Sequence, residues 1–185
     1  MRRQHFLVLL SAAALSACTG LGNRDDHRGA AGAGATSSSK QDSQIMRDIS
    51  QANLAEIATG KLAVAKASSP QVRQFGQQMI EEHSRMQSEG SQLTAGRGMR
   101  TPAAPDLRHQ AAMEKLESLS GEAFDRAYME QMVKDHGETL QLLQQAASRA
   151  QDPELRAHAR KATPHVQHHL ELAQRIAGEV VGLAR

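Results

Sequence analysis

The sequence is short of cysteine and of aromatic residues. It contains one Cys, no Trp, one Tyr and three Phe among 185 residues, so an internal disulfide bond is impossible. Lys and Arg number 22 against 20 Asp and Glu, and no basic stripe with interleaved aromatics is present. Nucleic acid is therefore not an expected partner. β-branched residues are also sparse, whereas Ala, Leu, Gln, Glu, Arg and Met are common, which favours an all-α fold.

The sequence also lacks the motifs of common hydrolases and transferases. There is no cysteine nucleophile, no glycine-rich phosphate loop after a strand, and no Ser/His/Asp motif in its structural context. A hydrolase or transferase activity is therefore not expected.

The N-terminal segment is typical of an exported lipoprotein. A charged start precedes a short apolar run over residues 6–15, which is too short to span a bilayer permanently. Small residues then lead into Cys18, the only cysteine, in a pattern that resembles the bacterial lipobox. We predict a signal peptide over residues 1–17 and attachment of acyl chains such as palmitate at Cys18. Thr19 favours the outer membrane, facing the periplasm. An ordinary secretory leader with an incidental cysteine is the alternative.

Residues 18–42 are rich in Gly, Ala, Ser and Thr and show no apolar periodicity. This composition predicts a flexible tether. A coil of this length spans on the order of 25–30 Å. It would lift a domain of residues 43–182 clear of the membrane surface.

Hydrophobic periodicity predicts four long helices and one short helix in residues 43–182. They are expected to start at about residues 43, 70, 106, 122 and 153. Ser69-Pro70 and Asp152-Pro153 are typical N-cap and first-turn pairs. The hairpin links are short, whereas the link between the second and third long helices is long. This pattern predicts an all-α, ferritin-like four-helix bundle with a crossover that contains the short helix.

Several blocks of the sequence resemble one known family. The blocks are residues 55–63, 67–70, 75–83, 116–121, 124–128, 135–136 and 163–170. Over roughly residues 45–177 the chain resembles the bacterial family of domains of unknown function numbered 4142. The resemblance implies an exported, ferritin-like helical bundle of the outer membrane and supplies no reaction. Glu82 stands where the family usually has Asp before the histidine.

Each long helix carries polar residues near the middle of its apolar face. They are Glu56, His83 and His136 on the first three long helices, and His165 and His169 on the fourth. Counted from the hairpin turns at 1.5 Å per residue, these positions lie within about two turns of one another along the bundle axis. We therefore expect them to meet in the core, where helix bundles place metal ligands.

Imidazoles with one carboxylate suit Zn, Fe or Cu, and nearby methionines would suit Cu(I). A di-iron carboxylate centre expects Glu-x-x-His on two helices. The second and fourth long helices lack this motif, so such a centre is disfavoured. The alternative without a metal is a polar layer whose side chains hydrogen-bond one another.

The sequence thus predicts an envelope lipoprotein whose bundle binds a transition metal ion in metal or stress handling. One alternative is a metal-free helical module that binds an envelope protein through its outer surface. A third hypothesis is a redox enzyme that uses the same cluster. The protein partner and any reaction are not identified by the sequence.

Overall fold

The computed structural model describes residues 40–182, which form five helices and no strand. In chain order the helices are α1 (Lys40–Lys66), α2 (Pro70–Thr94), α3 (Leu107–Glu117), α4 (Gly121–Arg149) and α5 (Pro153–Gly182). This arrangement confirms the predicted all-α fold. None of these five helices is both long and apolar enough to cross a membrane. The predicted signal peptide, Cys18 and the predicted tether before Lys40 lie outside the described residues.

The two hairpin turns end where the local sequence predicts. The Ser69 Oγ accepts a hydrogen bond from the backbone N–H of Val72 at 3.4 Å, and Pro70 takes the first helical position. Asp152 accepts a bond from the backbone N–H of Leu155 at 3.3 Å. Such caps satisfy N–H groups that have no partner inside the helix, so α2 and α5 start at defined residues.

Each hairpin turn is hydrogen-bonded to one buried aspartate at the start of the other hairpin. Asp42, in the first turn of α1, accepts hydrogen bonds from the backbone N–H groups of residues 151–152 at 3.0 and 2.8 Å. Asp125, near the start of α4, accepts bonds from the N–H groups of residues 68–69 at 3.1 and 2.8 Å. The prediction had placed Asp42 in the tether. Helix α1 instead begins at Lys40 rather than at about residue 43, and its first turn carries the aspartate that holds the α4–α5 turn.

The hairpins α1–α2 and α4–α5 have equivalent contacts at their turns and point in opposite directions. Arg73 donates to the carbonyls of residues 67–68, and Arg156 donates in the same way to those of residues 150–151. The chain spacing between these arginines equals that between the two capping aspartates. Because each turn lies at the open end of the other hairpin, the chain must travel the length of the bundle between α2 and α4. Helix α3 lies on this crossover, as predicted, and packs against α1 and α4.

A polar layer divides the core into two apolar clusters. The first cluster surrounds Phe75 and Tyr128, and the second surrounds Met46 and Leu143. On every long helix, buried polar residues lie between the positions that belong to the two clusters. These residues are Asn53, Glu56 and Thr59 on α1, His83 on α2, Asp135 and His136 on α4, and His169 on α5. Buried polar groups cost stability unless they are paired, so this layer is the candidate functional region of the bundle.

Helices α1 and α2 approach closely at Gly60 and Gly76. A Cβ atom at Gly60 would lie 2.8 Å from the Gly76 carbonyl oxygen, and one at Gly76 would lie 2.7 Å from the Ala63 Cβ atom. The close contact fixes the spacing of the two helices about two turns before His83. It thereby holds His83 against the polar residues of α1.

Candidate metal centre

Three histidines from three helices meet in the polar layer. His83 on α2, His136 on α4 and His169 on α5 are each only 0–1% exposed. One ring nitrogen of each lies within 4.8 Å of a ring nitrogen of the other two. Their ring centroids are 5.3, 5.4 and 5.5 Å apart. The structure therefore brings together three of the five residues that the sequence predicted as ligands.

In each imidazole, one ring nitrogen is hydrogen-bonded to its own oxygen acceptor. Because the partners are acceptors, the bonded nitrogen carries the ring proton and the other nitrogen carries the lone pair. The three pairs are His83 Nδ1 with Asn53 Oδ1 at 3.0 Å, His136 Nδ1 with the Met132 carbonyl at 2.9 Å, and His169 Nε2 with Glu82 Oε2 at 3.0 Å.

The remaining ring nitrogens have no hydrogen-bond partner among the described residues. They are His83 Nε2, His136 Nε2 and His169 Nδ1, and all three are buried. Burying three lone pairs without donors is unfavourable, and a metal ion bound by all three nitrogens would satisfy them. A ring that coordinates through one nitrogen and donates through the other to a carboxylate or carbonyl is the usual arrangement of metal-binding histidine.

Burial keeps the three imidazoles neutral, which is the form that binds metal. It lowers the pKa of His83 well below its usual value, and the neighbouring His136 and His169 lower it further. Burial, followed by the effect of His169, lowers the pKa of His136 from 6.5 to about 3. Burial also lowers the pKa of His169, although Glu82 acts in the opposite direction.

The size of the cluster suits a single ion. The ring nitrogens lie within 4.8 Å of one another. A triangle with sides of that length has its centre about 2.8 Å from each corner, whereas Zn–N bonds are about 2.0–2.1 Å long. Each imidazole would therefore advance by less than about 1 Å to bind an ion, a shift that side chains can make without a change of fold.

Glu56 lies beside the histidine cluster rather than within it. Its Oε1 atom is 3.7 Å from His136 Nδ1, the nitrogen that donates to a carbonyl, and its carboxylate is not among the ligand atoms that converge. Burial and then Asp135 raise its pKa well above the usual value, which favours the protonated form. The prediction that Glu56 meets the histidines as a fourth donor therefore needs correction. Helix α1 is turned so that Asn53 faces His83 instead.

His165 lies at the surface. Its side chain is 45% exposed, and its Nδ1 atom is 3.7 Å from Glu82 Oε2. The neighbouring buried positions of α5 are Ala162, Val166 and His169. One residue turns about 100° around a helix axis, so His165 falls beside this buried stripe. The prediction that it faces the core is wrong for this reason.

Sequence reasoning missed two residues of the cluster. Asn53 lies one turn before Glu56 on the buried side of α1, and an amide among buried positions was the available signal. Glu82 was noted only for its difference from the family pattern. Its carboxylate reaches across from α2 to α5, a contact that no pattern within one helix contains.

Comparison with known proteins places this bundle among related folds. The solved structure titled "Crystal structure of DUF305 fragment from Deinococcus radiodurans" is similar, with a TM-score of 0.68 over 77% of this chain and 98% of that chain. The two sequences are 13% identical, so the likeness concerns the fold alone. No curated protein matches the chain. The family described as a domain of unknown function, DUF4142, matches residues 28–176. That match covers well over half of the sequence, and the chain therefore belongs to the DUF4142 family.

Proposed function

We propose that this protein binds one transition metal ion through His83, His136 and His169. Two observations together support the proposal. One ring nitrogen of each histidine lies within 4.8 Å of one from each of the other two. Each ring also has one buried nitrogen without a hydrogen-bond partner, while its opposite nitrogen is hydrogen-bonded to an oxygen acceptor. A polar layer without metal would pair these nitrogens with one another or with donors. A ring nitrogen that carries a lone pair cannot pair with another lone pair.

The donor set favours some metals over others. Imidazole suits Zn, Cu, Fe and Ni, whereas Mg, Ca and Mn prefer carboxylate, carbonyl and water oxygens. Three protein nitrogens leave a further coordination position open, as in three-ligand zinc sites. All three ligands are neutral, so the carboxylate of Glu82, bonded to His169, is the nearest source of compensating negative charge. We place the function in metal or stress handling and assign no reaction to the site.

We also propose that the bundle is anchored in the cell envelope through acyl chains on Cys18, at the outer membrane and facing the periplasm. The coincidence of a short apolar leader, small residues and the only cysteine supports this. A palmitate analogue should label the protein, and Cys18→Ser should abolish the label. Equal labelling of both proteins would refute the anchor.

Metal titration tests the site directly. The metal-free protein is titrated with Co²⁺, whose visible absorption reports nitrogen coordination in a four-coordinate site, and Zn²⁺ is measured by competition. Wild type should take up about one ion per chain, since the three ligands converge on one point. His83→Gln and His136→Gln should each lose this binding. His168→Gln is the matched control, because His168 is an exposed histidine beside His169 on α5.

Circular dichroism of each variant checks that the helices are intact. Absence of stoichiometric binding by folded wild type would refute the proposal and favour the metal-free interaction module. Unchanged binding by a folded His83→Gln/His136→Gln double variant would refute the assignment of the site.

A further inference from the structure

The proposed metal site is closed on most sides. Its three histidines are 0–1% exposed, so an ion reaches them only when a side chain moves aside. The two apolar clusters close the site along the bundle axis. Helix α3 packs over α1 and α4. Between α2 and α5, the partly exposed Glu82 side chain reaches the buried His169, so this side is the candidate route from solvent.

Glu82 is the polar group on that side that contacts a ligand of the site. Among the three acceptors that hold the imidazoles, Asn53 and the Met132 carbonyl belong to buried residues. The Glu82 side chain is 24% exposed, so it alone among these three touches both solvent and a ligand of the site. A carboxylate in this position can meet an ion outside the protein and still reach His169.

His165 shares the same carboxylate oxygen. Glu82 Oε2 is 3.0 Å from His169 Nε2 on its inner side and 3.7 Å from His165 Nδ1 on its outer side. His165 also lines a cavity of about 240 Å³ between α2 and α5, together with Met86 and His158. The arrangement places an oxygen donor and a nitrogen donor together at the mouth of the route.

We propose that Glu82 and His165 form a port that captures a divalent transition metal ion and passes it to the three buried histidines. The inference rests on the proposed metal site. Their nearest donor atoms are 3.7 Å apart, and a carboxylate oxygen and an imidazole nitrogen each bind Zn²⁺ at about 2.0–2.2 Å, so one ion fits between them. When the carboxylate turns outward to the ion, its hydrogen bond to His169 breaks. His169 is then free to turn and to accept the ion from Glu82.

Arg85 opposes capture at this port. Its guanidinium lies 3.7 Å from the same Glu82 oxygen, and its side chain is largely exposed. A cation at the port must displace or repel this charge. Removal of Arg85 should therefore speed uptake, whereas removal of His165 should slow it.

Stopped-flow mixing of the metal-free protein with Co²⁺ tests the port. His165→Gln should slow both association and dissociation by about tenfold, within the one to three decades over which association rates vary among variants of one binding site. Its equilibrium Kd should stay that of wild type, because a residue on the route affects both rates equally. Arg85→Gln should associate faster. His168→Gln, an exposed histidine on the same helix, should match wild type.

The outcomes separate the port from the site itself. Wild-type rates in His165→Gln would overturn the port and leave the buried site standing. A weaker Kd in His165→Gln with an unchanged association rate would make His165 a ligand and would also overturn the port. No Co²⁺ binding by wild type would overturn the proposed function and the port together.

Discussion

Acidification should destabilise the metal-free protein because its core histidines must stay neutral in the fold. The perturbation is a change from pH 7 to pH 5 in the presence of a chelator. Burial lowers the pKa of His136 from 6.5 to about 3, so the unfolded chain takes up its proton first. Where the unfolded state binds more protons, stability falls as the pH falls. For His136 the loss begins just below pH 6.5 and is complete near pH 3.

The magnitude follows from the size of that pKa change. Each pH unit between the two pKa values corresponds to about 1.36 kcal/mol. Between pH 6.5 and pH 5, His136 should therefore reduce the free energy of unfolding by roughly 2 kcal/mol. The pKa values of His83 and His169 are also lowered by burial, so both act in the same direction.

Two acids act in the opposite direction. Burial raises the pKa of Glu56 and of Asp135, so the folded protein holds their protons more tightly than the unfolded chain does. Their contributions to stability are present at low pH and are lost as the pH rises through the folded pKa values. These two acids offset part of the loss caused by the histidines, so the contribution of His136 is measured by comparison with a variant that lacks its imidazole.

Urea unfolding of wild type and His136→Gln at pH 7 and pH 5 isolates the contribution of one histidine. The loss on acidification should be smaller in His136→Gln by roughly 2 kcal/mol, because this variant has no imidazole to protonate at that position. The m-values should agree, which shows that the same two states are compared. An equal loss in both proteins would refute the argument that His136 is held neutral in the fold.

Three further predictions concern the caps, the close helix contact and the carboxylate. Asp125→Ala removes the acceptor from two turn N–H groups and should cost about 2–3 kcal/mol in urea unfolding; wild-type stability would contradict the cap. Gly76→Ala should cost about 1–3 kcal/mol through overpacking, whereas Gly178→Ala, with no atom within 4 Å of the new Cβ, should be neutral or gain up to about 1 kcal/mol. Equal effects would argue against the close contact. Glu82→Gln should weaken Co²⁺ binding by about 10–100-fold. The exposed neighbour variant Glu81→Gln should bind as wild type, and equal affinities in the two variants would exclude a role for Glu82.

Local chemistry explains why most of the fold could be predicted. Ser69-Pro70 and Asp152-Pro153 define helix starts within a few residues, and the structure places α2 and α5 there. His83, His136 and His169 occupy positions on apolar stripes where a leucine is expected, so helical periodicity alone predicted that they face the core.

The residues that were placed wrongly depend on how helices are rotated and paired. One residue is about 100° around a helix, which separates exposed His165 from its buried neighbour Val166. Helix α1 presents buried polar residues to both α2 and α4, so Glu56 and Asn53 could not be assigned to one partner from its sequence. The use of Asp42 by the opposite hairpin is a contact between distant segments, and composition had assigned that residue to the tether.

The reciprocal capping by Asp42 and Asp125 means that neither hairpin completes its own turn. Each turn takes its missing acceptor from the other hairpin, as subunits do when they exchange elements. The bundle consists of two hairpins that cap each other and are joined by a single linker, the segment that contains α3. If the chain were cut between α2 and α3, the fragments should reassociate, and either fragment alone should lose the order of its turn.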